Sequence, residues 1–185
     1  MEKSINNKLK IGFSIGDFNG IGPEILLKAF YNKNLYEVCV PIVFSSRYIL
    51  DYYKDKFSID IDINDQNNNI KENQINCFSN EKFDSNILPG QVNMDAGRYA
   101  ESSLRESIKY FKEGFIDSLI TLPISKINIQ SKTFQFPGHT EFLESEFTNE
   151  KSMMVMYSKD MIIGFVTGHV PLTEVHNYIN DIKIT

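Results

Sequence analysis

KIGFSIGDFNGIGPEILLKAFYN, residues 10–32, is the stretch that decides the fold. Its first six residues, Lys10 to Ile15, form a short apolar run that reads as a strand. The turn Gly16-Asp17-Phe18-Asn19-Gly20-Ile21-Gly22-Pro23-Glu24 then opens a helix to about Asn32. Pro23 suits the first helical turn, where its missing N–H is not needed, and Glu24 complements the positive end of the helix dipole. Val38 to Phe44 repeats the strand, and Arg47 to Lys56 repeats the helix with Ile49, Leu50 and Tyr53 on one side. This alternation is the pattern of βαβ units, so the expected class is α/β, with an incomplete parallel or mixed sheet flanked by helices.

Further along, the polar, low-complexity run from Asn64-Asp65-Gln66-Asn67-Asn68-Asn69 through Asn76 reads as a surface loop or a weak edge hairpin. Ala96, Ala100, Leu104, Ile108 and Phe111 recur at helical spacing and place a long helix over Asp95 to Glu113, ended by Gly114. Ile116 to Leu122 is a further strand, and Thr140 to Phe147 a short helix. Met153 to Tyr157 and Met161 to Thr167 read as strands paired across Ser158-Lys159-Asp160. The second lacks alternation, which is the pattern of a strand buried on both faces. Thr173 to Ile179 reads as helical. A parallel sheet needs helices on both faces, and these elements supply too few crossovers for the strands; the expectation is the amino-terminal part of something longer.

Composition narrows the function. At 185 residues, with 42% apolar side chains, the chain is long enough for a real core. A net charge of -5 and a pI near 5.2 offer no basic surface for a nucleic-acid backbone, while a locally cationic site for a small acidic substrate stays open. Cys39 and Cys77 are far apart and form no Cys-x-x-Cys pair; they read as reduced thiols, Cys39 in the core. The polar start, Met1 to Lys10, has no leader-like apolar region, and no run approaches a membrane span, so a soluble, cytoplasmic protein with no membrane partner is expected.

The chemistry-bearing residues gather where strands end. The Gly16 to Gly22 turn looks like a phosphate cradle but matches neither G-x-G-x-x-G nor a P-loop, and a tight turn needing positive φ is the preferred reading. Asp17 is its one member with a chemical alternative. Lys126 closes Thr121-Leu122-Pro123-Ile124-Ser125-Lys126, either as a solvated charge or as a point charge for phosphate. Pro137-Gly138-His139-Thr140-Glu141 places an imidazole before a helix that Thr140 is expected to cap. Thr167-Gly168-His169-Val170-Pro171-Leu172 places another after an apolar strand, where His169 is a metal candidate. His176 reads as a helix-surface residue. No catalytic nucleophile can be assigned.

Taken in order, Gly-Asp-x-x-Gly-Ile-Gly-Pro-Glu, Thr-x-Pro-Ile-x-Lys, Phe-Pro-Gly-His-Thr-Glu-Phe, Met-Met and Val-Thr-x-His-x-Pro-Leu, the chain resembles the 4-hydroxythreonine-4-phosphate dehydrogenase family of vitamin B6 biosynthesis. The resemblance runs from about Lys10 to Thr185 and covers about the first half of the family's length. It implies a fold like that of isocitrate and isopropylmalate dehydrogenases, of which residues 1–185 form the amino-terminal part of a two-lobed, homodimeric enzyme. It also implies NAD and a divalent metal (Zn, Mg or Co) as cofactors. The implied reaction oxidises 4-phosphooxy-L-threonine to a β-keto acid that decarboxylates to 3-amino-2-oxopropyl phosphate. By position, His139 and Thr140 match the family's substrate-binding pair, and His169 matches the first of three metal-binding histidines. The later residues of the site fall outside this chain, so on its own it is expected to be inactive. Phe18-Asn19 departs from the commoner Pro-Ala, and Leu122 from a small residue. Relatives acting on threonate or erythronate 4-phosphate share these motifs, and a non-catalytic truncated chain is the reading outside enzymes.

Overall fold

The structure, a computed structural model, describes residues 8–65, 69–79, 83–147, 153–168 and 170–179. It divides into two compact units, residues 1–137 and 138–185. The first carries β1 (Leu9–Ser14), α1 (Gly22–Tyr31), a 3-10 turn (Asn34–Glu37), β2 (Cys39–Phe44), α2 (Arg47–Phe57), β3 (Ile63–Asn64), β4 (Ile75–Phe78), α3 (Met94–Lys112) and β5 (Ser118–Thr121). Its five strands form a wholly parallel sheet in the order β3-β4-β2-β1-β5.

That order explains the helix layers. The chain steps one way across the sheet from β1 to β2 to β3, and back the other way from β4 to β5. Right-handed crossovers therefore put α1 and α2 on one face and α3 on the other. Side-chain alternation along β2 agrees: Cys39 and Val43 join a core with Leu26, Leu27, Phe30, Ile49 and Leu50, whereas Val40, Ile42 and Phe44 join Phe78, Tyr110 and Phe111. β2 is buried along its whole length, as its unbroken apolar sequence requires. Asn93 caps α3 by accepting from Ala96 N (2.8 Å), and Gly114, at φ +71°, follows its end.

The Asn-rich run is not a hairpin, because the strands at its two ends are parallel; its described residues Asp65, Asn69 and Lys71 to Asn73 are exposed, as expected of a surface loop. Its two end residues are the exception: Asn64 sits in β3, the edge strand, and Asn76 in its neighbour β4. Asn76 is fully buried. Its amide donates to the carbonyls of Pro41 (3.1 Å), Lys71 (2.9 Å) and Gln74 (3.2 Å), and its Oδ1 accepts from Lys71 N (2.8 Å) and Asn64 Nδ2 (2.9 Å). One side chain thus supplies the backbone partners that a tight parallel crossover leaves unmet.

The second unit carries α4 (His139–Glu146), the antiparallel pair β6 (Met154–Tyr157) and β7 (Ile162–Phe165), a 3-10 turn (Leu172–Glu174) and α5 (Val175–Tyr178). The expected pairing across Ser158-Lys159-Asp160 is present, closed by Ser158 N donating to Met161 O (2.8 Å). One expectation fails. β7 is exposed rather than buried on both faces, because among the described residues it pairs with β6 alone. The helical reading of residues 173–179 holds to Tyr178, as a 3-10 turn that runs into one α-helical turn and stops at the extended Ile179. Among the described residues no helix is long and apolar enough to cross a membrane.

Candidate functional site

The Gly turn after β1 is packed shut against the loop after β5. Gly16 has φ +70°, and a Cβ there would lie 2.2 Å from Pro123 O; a Cβ on Gly22 would meet Ile15 O at 2.8 Å. The space that a phosphate needs is filled by backbone, so the tight-turn reading holds and the cradle reading fails. Asp17 has a structural job. Only 5% exposed, it accepts from Asn19 N (2.8 Å) and from Asn128 Nδ2 (2.8 Å), while its own N–H donates to Pro123 O (2.9 Å). This ties β1's outgoing turn to the loop of Lys126, which is itself exposed.

Phe18-Asn19 explains its own departure from the family pattern. The Phe18 ring is fully buried edge-on against Phe83 (5.1 Å) and Tyr99 (5.8 Å). Asn19 accepts from Leu88 N through Oδ1 (2.7 Å) and from Gly90 N through its carbonyl (2.8 Å). The pair therefore pins the segment from Phe83 to Gly90 onto the Gly turn. Leu122 is buried in the same core.

A second set of contacts steadies the approach to the first histidine motif. Glu101, buried on α3, accepts from Arg105 Nε (2.9 Å) and Ser131 Oγ (3.0 Å). Ser131 Oγ in turn accepts from Thr133 N (3.1 Å) and Phe134 N (2.9 Å), and Gln130 Nε2 donates to Phe136 O (2.7 Å). Gly97 permits this packing, because a Cβ there would sit 1.9 Å from Asn128 O. Sequence reasoning missed Glu101, Ser131 and Asn128. The one available signal was a Glu101–Arg105 pair at helical spacing inside an otherwise small and apolar stripe. An open groove of about 720 Å³ along α3, lined by Arg98, Glu101, Ser102, Arg105, Lys109 and Thr133, is charge-balanced, with ion pairs from Arg98 to Asp95, Arg105 to Glu101 and Lys109 to Glu113.

In the second unit His139 is the first residue of α4, and the cap is Gly138 rather than Thr140. Thr140 lies inside the first turn and is exposed, so the expected Thr140 cap is absent; Gly138 supplies only its carbonyl, to Phe142 N (3.3 Å). Burial pushes the His139 imidazole below its ordinary pKa, which keeps it neutral at pH 7. Its Nε2 is buried with no hydrogen-bond partner among the described residues. A buried imidazole nitrogen left unmet is costly unless something else supplies the bond. His176 is exposed on α5, as expected. His169 lies outside the described residues, and among those described no three His, Cys, Asp or Glu side chains cluster as a metal site requires. The described residues therefore do not by themselves fit a catalytic metal.

Residues 37–185 match the family described as "Pyridoxal phosphate biosynthetic protein PdxA". The 4-hydroxythreonine-4-phosphate dehydrogenase of Bacteroides thetaiotaomicron is 33% identical over 175 residues, covering 91% of this chain and 47% of that protein. A protein provisionally named D-threonate 4-phosphate dehydrogenase from Oceanobacillus iheyensis is 29% identical, covering 92% and 53%. Among solved structures, the 4-hydroxythreonine-4-phosphate dehydrogenase of Burkholderia phymatum superposes with a TM-score of 0.85 at 21% identity, over 97% of this chain and 56% of the other. The chain spans about half the length of the curated relatives it matches. By the family match and by its identity to the Bacteroides enzyme, this chain belongs to the PdxA family.

Proposed function

We propose that this chain is the substrate-contacting half of a dehydrogenase that oxidises the secondary alcohol of 4-phosphooxy-L-threonine, with His139 and Thr140 as substrate contacts. The observation that carries the reading is the buried, unmet Nε2 of a half-buried, neutral His139 beside the exposed Thr140. Two polar groups at the start of α4 suit a small anionic hydroxy acid, because the helix's first turn adds its own dipole. Oxidation gives a β-keto acid, which loses CO2 to leave 3-amino-2-oxopropyl phosphate. NAD is the proposed hydride acceptor, and a divalent metal, Zn, Mg or Co, the proposed partner of His169. Among the described residues no three side chains cluster to hold the metal, so its further ligands are proposed to lie elsewhere in the family-length protein, which is proposed to be a homodimer.

Titration of 4-phosphooxy-L-threonine into the chain, followed at the imidazole nitrogens by NMR and assigned with His139→Gln, tests this reading. A shift confined to His139, with at least tenfold weaker binding in Thr140→Ala, is expected. Binding that leaves His139 unmoved, or that Thr140→Ala does not weaken, overturns it. The second reading, a threonate 4-phosphate substrate, is favoured by the name of the Oceanobacillus relative. The same titration with D-threonate 4-phosphate ranks the two. Without its missing ligands the 185-residue chain is expected not to reduce NAD with either substrate.

A further inference from the structure

Asn19-Gly20 is the only Asn-Gly pair in the sequence, and it lies in the turn that joins β1 to α1. Such a pair carries its own chemistry. With no Cβ on Gly20, its backbone nitrogen can approach the Asn19 side-chain carbon Cγ with little hindrance. The Gly20 N–Cγ bond forms, the Cγ–Nδ2 bond breaks, and Nδ2 leaves as ammonia with the proton given up by Gly20 N. The five-membered succinimide left behind takes up one water and opens at either carbonyl, to aspartate or to isoaspartate. No oxidant, reductant or enzyme is needed. The fold obstructs these steps. Asn19 is 3% exposed. Gly20 N donates to Asp17 O (2.9 Å), and Leu88 N holds the carboxamide by donating to Oδ1 (2.7 Å). Asn19 N donates to Asp17 Oδ1 (2.8 Å), and Asn19 O accepts from Gly90 N (2.8 Å), so the pair is held from both sides. The nitrogen that would depart, Nδ2, is buried with no hydrogen-bond partner among the described residues, so packing alone retains it. The cover is thin. Leu88 to Val92 are all exposed, and in the strap from Phe83 to Val92 only Ile87 is buried. A segment with so little buried surface opens locally, well short of global unfolding.

We propose that Asn19-Gly20 is a self-modifying site gated by this strap: the pair is inert while the strap is docked, deamidates when it lifts, and once modified keeps the turn from closing again. The last step follows from charge and geometry. Either product puts a carboxylate at a buried position beside Asp17, which is itself 5% exposed. The side-chain partners of Asp17, Asn19 N and Asn128 Nδ2, are neutral donors, so no cation offsets the second charge. Isoaspartate also lengthens the main chain by one carbon in a turn with no slack. A Cβ on Gly16 or Gly22 would already lie 2.2 Å or 2.8 Å from a backbone oxygen. The contacts that shield the pair therefore cannot all re-form around its product.

The test ages the 185-residue chain in warm, mildly alkaline buffer and follows the tryptic peptide of residues 11–28 by liquid chromatography and mass spectrometry, which read the exchange of amide for acid and separate its two products. The chain unfolded in urea should deamidate at Asn19, and the native chain at least about tenfold more slowly, because a reaction confined to an open state runs in proportion to that state's population. Phe83→Ala takes from the strap the ring that packs on Phe18; it should speed the native reaction at least about threefold and leave the rate in urea unchanged. Tyr53→Phe, which removes the hydroxyl bound to Phe18 O, takes its place if circular dichroism shows Phe83→Ala unfolded. The modified chain, separated from the unmodified, should unfold at a lower urea concentration. Equal rates in the native and unfolded chains, or no reaction at Asn19 in either, would overturn the proposal. A native rate indifferent to loosening of the strap, or a modified chain with the parent's unfolding midpoint, would do the same.

Discussion

Replacing Asn76 with alanine tests how the sheet's far edge is held. The substitution removes three donated and two accepted hydrogen bonds from a position with no exposure at all. They are not equal in weight. Lys71 is exposed and Gln74 half-buried, so their groups can regain water, and Asn64 Nδ2 keeps its bond to Asn69 O (2.7 Å). Pro41 O, in the middle of fully buried β2, has no such recourse. A buried acceptor that loses this partner costs up to about 1–3 kcal/mol, and the part-exposed groups add less, so a loss of about 2–4 kcal/mol is the upper expectation. Against a total of about 5–15 kcal/mol for a domain, that is a large share. Urea unfolding followed by circular dichroism should show the midpoint falling by roughly 1–2 M at a slope of about 2 kcal/mol/M. Asn73→Ala, exposed in the same Asn-rich run, is the control and should stay within about 0.5 kcal/mol. Equal midpoints for the two variants would refute the reasoning, because the edge would then owe nothing to that amide.

Gly16→Ala combines a left-handed backbone with a Cβ driven to 2.2 Å from a carbonyl oxygen that cannot swing aside; at least about 2 kcal/mol should be lost, lowering a thermal midpoint by roughly 4–8 °C. Burial pushes the Cys77 thiol up to about 12 and raises Cys39 as well, so a thiol-specific disulfide reagent at about pH 8 should label neither residue in the native chain and both after unfolding. His139 titrates below its ordinary value of 6.5 when folded. The unfolded chain thus takes up that proton first as pH falls, so stability is intact above about pH 6.5 and is lost below it. His139→Gln should flatten that acid limb by comparison with the parent, and an unchanged limb would place the imidazole in water.

The elements of the first unit were legible because their signals are local. Strand, turn and helix from Leu9 to Tyr31 follow from an apolar run, a positive-φ glycine and Pro23 within a few residues of one another. The contacts that hold the carboxyl edge of the sheet are not local. Asp17 meets Asn128 across 111 positions, and Glu101 meets Ser131 across 30. A polar pair of that separation has no periodicity to announce it; each partner alone reads as an ordinary surface residue. Asn76 was hidden differently. Composition marks an Asn-rich run as solvated, yet the same amide that favours loops also suits a buried site where carbonyls outnumber donors. The apolar pattern of β7 was read as double burial, and the structure shows an exposed strand; the pattern records the surroundings the residues suit, and burial depends on what is there to cover them.

Phe18-Asn19 shows why a departure from a family pattern is best weighed with its neighbours. A proline there would lock φ and remove an N–H, and an alanine would offer no side-chain acceptor. Phe18 instead buries a whole ring against Phe83 and Tyr99, while Asn19 holds Leu88 N by its side chain. These gains exist only because Phe83 and Leu88 lie across from the turn, so the two positions of the turn and the segment after β4 form one packing unit. Tyr53 joins it by donating its hydroxyl to Phe18 O (2.7 Å), linking α2 to the same turn. A change at any one of these positions alone would leave a bare donor or an unfilled edge, which is why the departure is coherent across four separate segments of the chain rather than a drift at two residues.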